Sequence, residues 1–156
     1  MLAVIRPGDW NFPLFVHVLG AMVLVGGLVI ALGAQVVAWR RREPAEVVAL
    51  SRTAFWALVF VAVPGWVVMR AGAEWIYSKE GWTGDNDPSW LGVGFATADL
   101  GGIVLLLGLI VAGVGARQVR RSGGTRNRFG RIAAPLAGVL LIAYLVATWA
   151  MTTKPD

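Results

Sequence analysis

Four apolar, nearly uncharged stretches, each about as long as a bilayer is thick, leave this chain little else to fold with. They run over 12–39, 53–75, 90–116 and 132–153, and the second carries no charge between 53 and 69. A helix needs about 20 residues at about 1.5 Å each to cross the hydrocarbon core. The sequence therefore predicts an all-α membrane protein: one domain, 1–156, folded as a four-transmembrane-helix bundle. Hydrophobic residues make up 57% of the chain and mean hydropathy is +0.67. Ordinary globular domains are roughly 45–50% apolar, and a soluble core of this size could not hide the excess.

A formal charge of +5 would suit a nucleic-acid partner, but the placement of the arginines argues for topology instead. Arg40, Arg41, Arg42 and Arg52 flank the first connection, and Arg117, Arg120, Arg121, Arg126, Arg128 and Arg131 crowd the third. The second carries Glu74, Glu80, Asp85 and Asp87 against Lys79. Because arginine and lysine are retained on the cytoplasmic side, the first and third connections are expected inside, with both termini and the acidic loop outside. The expected partner is the lipid bilayer, not nucleic acid. Only Arg6 precedes the first run, which is too long for a signal peptide and is expected to remain in the mature protein. Absence of cysteine removes disulfides, thiolate metal sites and c-type haem attachment.

Helices in lipid gain nothing by hiding apolar surface from water, so small residues that let backbones approach supply much of the attraction. In the first span His17, Gly20, Leu24, Gly27, Ala31, Ala34 and Ala38 form one stripe in steps of three and four; in the third, Gly94, Ala98, Gly101, Leu105, Gly108, Ala112 and Gly115 do the same. Both read as helix–helix seams, which turns His17 toward the bundle. A shared pattern, Gly26-Gly27 to Gly33 beside Gly101-Gly102 to Gly108, is consistent with a duplicated hairpin. Pro64-Gly65 predicts a kink in the second span, whereas Pro135 lies near the start of the fourth, where proline is tolerated. Trp75, Tyr77, Trp82 and Trp90, over 74–90, are expected among lipid headgroups.

The polar residues of the spans gather at one depth: His17, Arg70, Glu74, Asp99, Tyr144 and Thr148. Intramembrane ionisable groups are functional candidates. The expectation is a polar pocket open to the outside, in which Asp99 hydrogen-bonds His17 or pairs with Arg70, and Arg70 pairs with Glu74 one turn away. A carboxylate beside the imidazole would suit proton transfer or metal ligation; equally, the cluster could only lock the helices together. Arg70 would suit an anionic ligand or a haem propionate. Methionine with histidine suits reduced copper, which makes His17, Met69 and Met151 candidate metal ligands. Met22 falls on another face from His17, and a haem b held by two histidines of one chain is excluded because His17 is the sole histidine. Ser122-Gly123-Gly124-Thr125 lacks the strand and lysine of a phosphate-binding loop. With no hydrolase, kinase or nucleotide signature, the chain is not expected to be an enzyme.

Three segments carry a resemblance: Phe15-Val-His17-Val-Leu-Gly20-Ala-Met-Val-Leu-Val-Gly26-Gly27; Val63-Pro64-Gly65 with Arg70-Ala-Gly72; and Met151-Thr-Thr-Lys154-Pro155. Together they resemble a bacterial family of predicted integral membrane proteins of unknown function, allied to the copper-resistance protein D group. The resemblance covers the whole chain and implies a multi-pass protein of the bacterial inner (cytoplasmic) membrane, with His17 and Lys154-Pro155 on the outer side. For the wider group it implies copper or haem handling. Three readings follow. The first is a non-catalytic binding or accessory component, as a homo-oligomer or with a partner membrane subunit that supplies missing ligands. The second is a copper- or haem-handling redox protein using His17. The third is a small proton-coupled permease gated at Pro64-Gly65.

Overall fold

Each apolar stretch becomes one long helix: α1 (Asn11–Arg40), α2 (Pro44–Glu80), α3 (Ser89–Arg121) and α4 (Gly130–Thr153), all long and apolar enough to cross a bilayer. The computed structural model describes residues 8, 11–82, 84, 88–125 and 127–153; Arg6, Asp85, Asp87, Arg126, Lys154 and Pro155, named above, lie outside them. Three helices match the expected spans closely. The second begins well before 53, because Pro44 occupies the first turn, where its missing N–H costs nothing, and Val47 N–H is accepted by the Glu43 carbonyl at 3.2 Å. Arg52 therefore sits inside α2 and not in the connection. That connection shrinks to 41–43, tied by an Arg41–Glu46 ion pair at 3.4 Å.

The break expected at Pro64-Gly65 takes the form of a widened turn just before it. Leu58–Ala62 wind as a π-helix, and Val63 N–H reaches back five residues to the Leu58 carbonyl. Proline has no N–H and its ring crowds the carbonyl one turn back; a π turn absorbs both faults without ending the helix. The buried stripe of α2 then runs Val47, Ser51, Ala54, Leu58, Ala62, Gly65, Met69, Gly72. Ala57 and Leu58, adjacent in the chain, are both buried at the start of the widened turn.

The chain runs up, down, up, down. Each helix packs on its neighbours in sequence, and α1 closes the ring against α4. Large apolar side chains such as Met22, Phe60, Leu100, Ile110 and Ile142 point outward, while glycines, alanines and a few leucines (Leu24, Leu28, Leu105, Leu140) fill the inside. This is the reverse of a water-soluble core and suits a lipid surround. The two expected seams are present: Gly20, Leu24, Gly27, Ala31, Ala34 and Ala38 are buried on α1, as are Gly94, Ala98, Gly101, Leu105, Gly108, Ala112 and Gly115 on α3. The α1 stripe packs on α2, and the Gly94, Gly101 and Gly115 positions of the α3 stripe pack on α4 or the turn into it. At Gly20 a Cβ would strike the Met69 backbone, and at Gly65 it would strike that of Leu24. Gly94 receives the Met151 methyl and Gly101 the Tyr144 hydroxyl.

The connections follow from local chemistry. Gly81, at φ 70°, closes α2 in the left-handed conformation that side chains avoid. Gly124 needs glycine twice over: its φ is +90°, and a Cβ there would collide with Pro44, so the third connection touches the start of α2 at one end of the bundle. At the other end Tyr77, Trp82, Trp90 and Phe95 pack edge to face or tilted, at centroid distances of 5.4–6.0 Å. Trp75 packs instead edge to face on Phe12 of α1, and α2 continues through Trp75 and Tyr77 to Glu80.

The seam geometry separates the glycines. Gly20→Ala and Gly65→Ala should each lower thermal stability in detergent by about 1–3 kcal/mol, the usual cost of overpacking. Gly26→Ala, which opens onto free space, should be neutral or stabilising by up to about 1 kcal/mol through helix propensity. Equal losses in all three variants would refute backbone contact at the seam.

Candidate functional site

Two faces of α2 position the polar residues. Gly65, Met69 and Gly72 face α1; Trp66 and Arg70 face α3. On the α1 side, Gly72 lies directly against the backbone of His17, with no room for a Cβ. That contact presents the imidazole to α2, and Nδ1 lies 2.9 Å from the Met69 carbonyl oxygen. A carbonyl only accepts, so Nδ1 carries the proton, and in the neutral ring Nε2 keeps its lone pair.

On the other face, Trp66 donates its indole N–H to the Ala98 carbonyl at 2.9 Å and lies over Gly102, which fixes the separation of α2 and α3. One turn on, Arg70 Nε donates to Asp99 Oδ1 at 3.0 Å. Its Nη1 donates to Glu74 Oε1, and its guanidinium carbon stands 4.9 Å from the centre of the Phe95 ring. Arg70 is thereby held by two carboxylates from two helices and by an aromatic face. Asp99 takes the second of its two expected partners. It does not reach His17, because Met69 and Arg70 turn to different faces of α2.

The arrangement differs from an enclosed pocket. The side chains of Glu74 and Asp99 are 54% and 59% exposed, against 23% for Arg70, so the triad is an ion-pair cluster on the α2–α3 surface. Two carboxylates against one guanidinium leave a negative excess, which disfavours the anionic ligand or haem propionate expected of Arg70. The cluster is suited to a cation or a hydrogen-bond donor. Tyr144 is buried between α3 and α4, its hydroxyl beside Gly101. Thr148 returns its hydroxyl to the Tyr144 carbonyl at 2.8 Å and faces outward. Thr148 does not join the triad, whereas the Tyr144 hydroxyl lies within electrostatic range of Asp99 and beside Trp66 without pairing with either carboxylate.

The metal candidates are dispersed. Met69 shares the α1–α2 seam with His17, which meets its carbonyl oxygen, whereas the Met151 methyl lies against Gly94 in the α3–α4 seam. Among the described residues no group of three or more His, Asp or Glu could hold a metal ion. His17 is the one histidine of the chain, so a bis-imidazole site would need the second histidine from another chain.

A second polar set escaped the sequence reading. Gln35 and Ser51 are 3% and 1% exposed. Gln35 Oε1, Ser51 Oγ, Gln118 Oε1 and both side-chain polar atoms of Asn127 have no hydrogen-bond partner among the described residues. Gln35 and Asn127 converge on Gly130, the first residue of α4. The only available sequence signal was that Ser51 occupies a stripe position of α2 and Gln35 adjoins one of α1.

Replacing Asp99 with asparagine should cost no more than about 1 kcal/mol of stability, as for other exposed ion pairs, and should leave the NMR chemical shifts of the His17 imidazole unchanged. Displaced His17 imidazole shifts in that variant would restore a contact between the two. No family model, curated protein or solved structure matches the chain, so its functional reading rests on this geometry and on the sequence resemblance.

Proposed function

We propose that this chain is a non-catalytic binding or accessory component of a bacterial inner membrane, with both termini and the Arg70 cluster outside and the arginine-rich connections in the cytoplasm. The observation that carries the reading is the triad Arg70, Glu74 and Asp99, joined across α2 and α3 and open at the surface. Exposed charges on the flank of an apolar helix pair are costly unless they meet headgroups, water or a polar partner. The negative excess selects a cationic or hydrogen-bond-donating partner surface, and nothing in the cluster activates a nucleophile or a water. The orientation is supported by Arg40, Arg41, Arg42, Arg117, Arg120 and Arg121 at the opposite end.

One observation favours a second reading. The hydrogen bond from Nδ1 of His17 to the Met69 carbonyl orients the ring and leaves Nε2 as a donor atom, the arrangement second-shell partners give to metal-bound histidines. In that reading the protein handles copper or haem b, with further ligands from a homo-oligomer or a partner subunit.

One preparation tests both. Protein purified in mild detergent should be colourless and metal-free and should retain a membrane partner at stoichiometric ratio; the double variant Glu74→Gln/Asp99→Asn, which removes the carboxylates of the cluster, should release that partner while His17→Ala retains it. Stoichiometric copper or a haem absorbance band that disappears in His17→Ala would overturn the first reading in favour of the second.

A further inference from the structure

The end of the bundle opposite the Arg70 cluster carries a groove of about 680 Å³ on the outer surface between α1 and α2. Ile30, Val48, Ala49, Trp56 and Val61 line it with apolar surface, and Arg52 stands among them as its one charged residue. Arg52 is exposed and has no ion-pair partner among the described residues, whereas Arg41 nearby is already paired with Glu46. From Arg52 to Val61 the helix rises by about 14 Å, close to half of the roughly 30 Å hydrocarbon core. The part of the groove beyond Arg52 is therefore about one leaflet deep, with a cation at the headgroup level and an indole one turn below it, and the lining continues the other way from Arg52 to Ala45, where a headgroup and its glycerol would lie.

We propose that this groove seats an anionic phospholipid, one acyl chain along α2 and the phosphate on Arg52. Charge complementarity selects this occupant over a second copy of the chain. At this end the acidic side chains among the described residues are Glu43 and Glu46, and Glu46 is committed to Arg41. Glu43 lies outside the groove lining, so a second copy packed groove to groove would cover Arg52 without a carboxylate opposite it, while a phosphodiester supplies the missing charge and remains hydrated on its outer side. Arginine holds such a group by paired N–H donors. The assignment is independent of the Arg70 cluster and of which side of the membrane each end faces.

Native mass spectrometry of the full chain, delipidated in detergent and titrated with phosphatidylglycerol or phosphatidylcholine of identical chains, tests it. Phosphatidylglycerol should bind about fivefold tighter, the effect of one arginine near the surface. Arg52→Gln should reduce that preference to near unity, and Ala49→Phe, which fills an exposed part of the groove, should weaken both lipids. The double variant Arg117→Gln/Arg121→Gln removes more charge from the same end but leaves the groove intact, and should keep the preference. Equal binding of the two lipids by the unmodified chain, or loss of the preference in the double variant as well as in Arg52→Gln, would overturn the proposal. A lipid-free dimer that Ala49→Phe converts to monomer would overturn it too, by assigning the groove to a second copy.

Discussion

The bare backbone contact between α1 and α2 is what the rest of the molecule hangs on. Gly20 against Met69, Gly65 against Leu24, Gly27 against Ala62 and Gly72 against His17 form one ladder with no side chain between the rungs at its closest points. In lipid the contact cannot be replaced by hydrophobic burial, so its strength comes from dispersion over a close approach. It also fixes the rotation of α2. Once Met69 and Gly72 face α1, Trp66 and Arg70 turn toward α3, and the indole and guanidinium determine how α3 docks.

The second hairpin repeats the device in a looser form. Gly94 and Gly101 meet the ends of Met151 and Tyr144, not backbone, so flexible side chains mediate much of that seam. Between the two hairpins the contacts are larger and more polar: Trp66 on Gly102 and the Ala98 carbonyl, Phe55 against Gly113, Arg70 with Asp99. Small residues thus set the distance within each hairpin, and aromatic and ionic residues the docking between them.

Much of this was legible in the sequence because membrane solvation leaves few choices. Apolar length gave the four helices, and the three-and-four spacing of glycine and alanine gave both seams down to individual residues. What was lost depends on rotation about a helix axis, which composition does not encode. Asp99 lies just outside the α3 stripe, so it emerges beside Arg70 and not beside His17. Thr148 satisfies its own hydroxyl through the backbone and has no reason to face inward. The early start of α2 was hidden because a charged first turn is no obstacle to a helix, although it is an obstacle to hydrocarbon. Gln35 and Ser51 were hidden because single polar residues do not interrupt an apolar period.

The π turn at Leu58–Ala62 links the small-residue seam of α2 to its charged end. It carries one residue more than a regular turn, and each residue of an α-helix advances the phase by roughly 100°. Everything C-terminal to it, including Met69, Arg70 and Glu74, is therefore displayed at an azimuth that the lower half of α2 alone would not produce. The charged surface at one end is thus indexed by a surplus residue buried mid-bundle. A lineage that lost or gained one residue at that turn would present a different face of the same sequence to both of its neighbours.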